Sequence, residues 1–74
     1  MALQNFITRL KTIMSENNLS SSELAAKLEI PESNITHYLL GRNKPSFEFM
    51  YKILVLLPTL NARWLITGEG KMNN

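Results

Sequence analysis

Three residues in the stretch LSSSELAAKLEIPESNITHYLLGRNKP, Leu19 to Pro45, leave this chain few ways to fold. Ser20 stands three positions before Glu23. Its hydroxyl can accept from the Glu23 amide while that carboxylate reaches back to the Ser20 amide, so a helix starts here. Pro31 fixes its own φ and has no amide proton, so it fits only the first turn of a helix and forces a new one to begin beside it. Gly41 takes the left-handed conformation that ends a helix most easily. The stretch therefore predicts two short helices joined by a tight turn, followed by a basic loop through Arg42 and Lys44.

The rest of the chain continues the helical pattern. Leu3, Phe6, Ile7, Leu10, Ile13 and Met14 recur at three- and four-residue steps and line one face of a first helix, with Arg9, Lys11, Thr12 and Glu16 off that face. Asn17 and Asn18 end it. Leu24, Ala25 and Leu28 face inward from the second helix, and Ile35, Tyr38 and Leu39 from the third. Ser46 caps a fourth helix with an expected inward set of Phe47, Met50, Ile53, Leu54 and Leu57, closed by Pro58. Asn61 caps a short fifth helix in which Trp64 and Leu65 face the core, with Gly68 and Gly70 at its end. No strand pattern, internal repeat or low-complexity segment is present. The reading is an all-α, compact five-helix domain over residues 1–70 with a flexible tail at 71–74.

Composition narrows the function classes. In 74 residues there is room for one domain, and a core this small buries only roughly 60% of the surface of its unfolded chain. With no cysteine and one histidine, thiolate and histidine metal sites are not expected, and no cofactor is. The longest apolar run, Ile53 to Leu57, is too short to cross a bilayer, and the first residues lack the apolar core of a signal peptide. A cytoplasmic, nucleoid-associated protein with no membrane partner is expected. Eight basic and six acidic side chains give a net charge of only +2, so distribution matters more than the sum. Between Glu32 and Glu48 there is no acid, while His37, Arg42 and Lys44 fall in that gap.

Two helices joined by about four residues can cross steeply and present the second one outward, where its first turns can enter a DNA major groove. Leu24, Ala25, Leu28, Ile30, Ile35 and Tyr38 form one apolar set that would hold such a pair, and small Ala25 lets the backbones approach. The polar face of the third helix then carries Glu32, Ser33, Thr36 and His37 as candidates for base contacts. Ser20 and Ser21 at a helix N-terminus, Asn34, and the loop residues Arg42, Asn43 and Lys44 are candidates for phosphate contacts.

The segments LSSSELAAKLEI, PESNITHYL, LGRNKPSFEFMYKIL and NARWLITGEG, in this order from Leu19 to Gly70, resemble the helix-turn-helix family of lambda repressor and Cro-type regulators, often called XRE-like. The resemblance implies a five-helix domain that binds palindromic operator DNA, usually as a symmetric dimer, and represses or regulates transcription in bacteria or phages. The segment 31–41 would be the helix in the major groove. Five positions depart from that pattern: Ser21 and Glu32 stand where many relatives have Gln, Glu29 where they have Gly, and Met14 with Leu39 where some phage relatives have a buried Arg and Glu pair. A left-handed Glu29 would carry roughly 1 to 2 kcal/mol of strain.

The fourth helix and its exit are more apolar than one buried stripe needs, so Tyr51, Val55, Leu57, Pro58 and Leu60 are expected at a homodimer interface. The same surplus supports an alternative: a protein-interaction module or antitoxin-like subunit that uses the same helical core without strong DNA binding. No convergent set of acid, base and nucleophile is present, so neither catalysis nor a small-molecule ligand is expected.

Overall fold

The computed structural model describes residues 3–74, with side chains from Asn5 onward, so the inward placement expected for Leu3 lies outside the described residues. Five helices follow one another: α1 (Leu3–Glu16), α2 (Ser21–Leu28), α3 (Glu32–Leu39), α4 (Phe47–Leu56) and α5 (Ala62–Thr67). Their boundaries obey local chemistry. Ser20 Oγ accepts from the Glu23 amide at 3.1 Å and Glu23 Oε1 accepts from the Ser20 amide at 2.9 Å, completing the capping box of α2. Ser46 and Asn61 cap α4 and α5 with single side-chain bonds, accepting from the amides of Phe49 and Arg63.

Three helices end on a residue with positive φ followed by a bond that reaches back five positions. Asn18 (φ 54°), Glu29 (φ 59°) and Gly41 (φ 74°) occupy these places. The closing bonds run from Leu19 N to Met14 O, from Ile30 N to Ala25 O and from Arg42 N to His37 O. Glu29 therefore takes the left-handed conformation without the freedom of glycine.

Each helix sends at least one aliphatic side chain fully into the core: Leu10 and Ile13 from α1, Leu24 from α2, Ile35 from α3, Ile53 from α4 and Leu65 from α5. Phe49 is the aromatic centre, 4.3 Å from the Tyr38 ring and 6.5 Å edge-on from Phe6. Of the inward set expected for α4, Ile53 is fully buried and Met50, Leu54 and Leu57 pack against the core, but Phe47 is corrected. Phe47, read as inward, is 84% exposed, and Phe49 is 2% exposed. Two positions span about 200° of helix, so only one of the two rings can face the core. The ring that meets Phe6 and Tyr38 is the one that does.

Two further expectations are corrected. Arg9, read as a solvent-side charge, is buried, and its Nε donates to Leu65 O at 3.0 Å with a second contact to Ile66 O at 3.4 Å. Burial lowers the guanidinium pKa. A cation among the last carbonyls of a helix is favoured electrostatically, and Arg9 thereby ties α1 to the end of α5. Leu60, expected on a surface shared with a second copy, is instead core at 5% exposure. Trp64 is half-buried and packs on the core beside fully buried Leu65.

Residues 71–74, expected to be a flexible tail, lie against the α4–α5 loop. Asn61 N donates to Met72 O and Asn74 N to Thr59 O, both at 2.8 Å, and Met72 packs against the core. The Asn61 side-chain amide also donates to Lys71 O at 2.9 Å.

Candidate nucleic-acid interface

Helix α3 is held by its apolar side. Ile35 is fully buried, Tyr38 packs on Phe49, and Ala25 is buried on α2, the helix against which α3 packs. The opposite edge is left to solvent: Glu32, Ser33 and Thr36 are exposed and His37 is half-exposed. Ser33, Thr36 and His37 share that edge because three- and four-residue steps return to one side of a helix. Pro31 caps the helix without a side-chain bond, and the first-turn amide of Asn34 donates to Pro31 O at 3.0 Å.

Leu40 extends the same edge, four residues beyond Thr36, and is 61% exposed. The sequence reading did not single it out. Its signal was present in the spacing, since 33, 36, 37 and 40 form one helical stripe.

The loop after α3 is tied back onto its last turn. Arg42 N donates to His37 O at 2.9 Å, and the Asn43 side-chain amide stands 3.5 Å from His37 Nδ1. With that amide donating, Nδ1 accepts and Nε2 carries the proton of a neutral ring. Thr36 Oγ1 donates to Glu32 O at 3.3 Å, which leaves the hydroxyl oxygen free to accept.

Arg42, Asn43 and Lys44 are all exposed. Lys52 pairs with Glu48 and Arg63 with Glu69, whereas among the described residues neither Arg42 nor Lys44 has an acidic partner. Their charge is thus not neutralised by an acid among the described residues.

At the other end, Ser20 is exposed and Ser21 half-buried at the start of α2. The Ser20 hydroxyl is engaged by Glu23, accepting from its amide and bonding to its carboxylate. The Glu23 carboxylate shares that end, held by the Ser20 amide, and its pKa is lowered first by that bond and then by the bond with the Ser20 side chain. Asn34 sits apart from the reading edge. It is half-buried and lines a crevice between α3 and α4 with Tyr38, Ser46 and Lys52.

Two helices crossing at a short turn, with the second one polar-edge outward, form a helix-turn-helix unit. A family model for the helix-turn-helix domain matches residues 7–71. The chain belongs to the helix-turn-helix domain family. Neither a curated protein nor a solved structure matches it. In helix-turn-helix terms, α2 and α3 are the two helices of the motif, in a domain of the kind that binds DNA and regulates transcription. No helix among the described residues is long and apolar enough to cross a membrane.

Proposed function

We propose that this helix-turn-helix domain binds double-stranded operator DNA in a sequence-specific manner and regulates transcription as a repressor of the lambda repressor and Cro type. The supporting observation is the exposed edge of α3, bordered by two cations that have no acidic partner in the described chain. Helix α3 enters the major groove. Glu32, Ser33, Thr36 and His37 meet base edges, and Leu40 meets a thymine methyl group. A His37 ring with a proton on Nε2 offers a donor, which suits the O6 or N7 acceptors of guanine. Glu32 accepts from a cytosine amino group and repels phosphate, so it discriminates more than it attracts.

Arg42 and Lys44 contact phosphates beyond the C-terminal end of α3, with Asn43 shaping the loop. Ser20 and Ser21 do so at the start of α2, where the helix dipole favours an anion. Asn34 reaches the backbone only from the side of the reading edge. Two copies read half-sites about one helical turn apart.

Selection of bound duplexes from a random pool tests this reading. A palindromic consensus with two equivalent half-sites is the expected outcome, and recovery of no consensus at low salt would refute it. A protein-interaction module is the second reading, favoured by the 84% exposure of Phe47 on α4. Absence of duplex binding at low salt together with partner binding would select it.

A further inference from the structure

Exposed apolar side chains run along α4 at four-residue steps. Phe47 is 84%, Tyr51 58% and Val55 61% exposed, and the Phe47 and Tyr51 rings stack with centroids 6.5 Å apart. On one side Phe47 and Tyr51 border a groove of ≈ 280 Å³ that reaches Ile66 of α5, itself 49% exposed. On the other side Tyr51 and Val55 border a groove of ≈ 410 Å³ that reaches Lys27 and Leu28 of α2. Tyr51 thus stands on a ridge between two hollows.

We propose that a second copy of this chain covers the stripe, with α4 packed antiparallel to α4 of that copy about a two-fold axis. A two-fold axis lying across both helices sets each flank against the same flank run in reverse. Glu48 and Lys52 occupy neighbouring turns and pair at 3.5 Å within one copy. Reversal brings Glu48 of each copy to Lys52 of the other, so the charges complement themselves without any foreign partner. The same reversal sets Phe47 opposite Val55 and brings the two Tyr51 rings together. A parallel arrangement would exchange the flanks and lose the charge match. The inference deepens the reading of two copies on one operator, but it is testable without DNA.

Sedimentation of the full chain across micromolar concentrations should show a monomer–dimer equilibrium. Phe47→Ser and Tyr51→Ser alter exposed residues, so circular dichroism should confirm an unchanged fold while association weakens at least about tenfold each, the loss expected of a central interface residue. Lys52→Glu should weaken association, because acids then face acids on that flank, and Glu48→Lys added to Lys52→Glu should restore it. A wild-type chain that stays monomeric, a dimer indifferent to Phe47→Ser and Tyr51→Ser, or a double charge swap no better than Lys52→Glu alone would overturn the proposal. A monomer that still selects an operator removes this surface and leaves the DNA reading standing. A dimer through this surface with no affinity for any duplex does the reverse.

Discussion

His37, Leu40, Arg42 and Lys44 lie within eight residues of one another, yet they stand in two different settings, and the proposed function gives each setting its own work. The first two sit on the α3 edge where a base would be met, and the other two are loop cations with no acidic partner in the described chain. Arg42→Ala or Lys44→Ala should therefore weaken all duplexes similarly and flatten the slope of log K against log salt by about 1 each. His37→Ala or Leu40→Ala should instead cost about 1 to 3 kcal/mol on the preferred site and relax preference at one base pair, with the salt slope kept. Titrations of a matched and a mismatched duplex at several salt concentrations measure both quantities. Equal losses on both duplexes for His37→Ala would remove it from the reading edge. The legibility of these residues in the sequence was uneven. His37, Arg42 and Lys44 stood out because charge and position near Gly41 mark them, while Leu40 was passed over because an apolar residue on a short helix is assigned to the core by default.

Helix ends were legible in the sequence because their chemistry is local. Ser20 with Glu23, Pro31, Gly41, Ser46 and Asn61 act on amides and carbonyls within a few residues, so no knowledge of the fold is needed to read them. Glu29 at φ 59° is the exception to economy among these ends. Glu29→Gly should stabilise the domain by about 1 kcal/mol by releasing left-handed strain, partly offset by chain entropy. The thermal midpoint should rise by roughly 4 to 8 °C, as expected for a domain of this size. The α2 cap adds a pH dependence. The folded pKa of Glu23 is lowered by its bonds to Ser20, so its contribution is present above the ordinary carboxylate range and lost as pH falls through the folded value. Thermal melts of wild type and Glu23→Gln should differ at neutral pH and converge in acid. On α4 the inward turn of Met50, Ile53, Leu54 and Leu57 was legible, but the choice between Phe47 and Phe49 was not, since nothing local prefers one ring to the other. Phe6 and Tyr38, distant in sequence, decide it.

For the whole molecule, Phe49→Ala should cost about 3 to 5 kcal/mol, because it empties the centre shared by α1, α3 and α4. Phe47→Ala should fall within about 0.5 kcal/mol of wild type, as exposed positions do. Denaturant titrations of the two variants give the comparison, and equal losses would reverse the register assigned here. On DNA, about four phosphates neutralised per copy give a dimer a slope near −7 in log K against log salt, and binding that ignores salt would contradict the cationic loop. Long-range closure is what the sequence concealed. The contacts of residues 71–74 run largely through the backbone, and Arg9 meets its α5 partners 56 and 57 residues away. That arginine grips main-chain oxygens, which every amino acid supplies. The clasp consequently does not read the side chains at its far end: Leu65 is fixed by its own burial in the core, whereas exposed Ile66 is held by its backbone alone. The outer surface of α5, Ile66 included, can thus drift toward new neighbours while the first and fifth helices stay fastened.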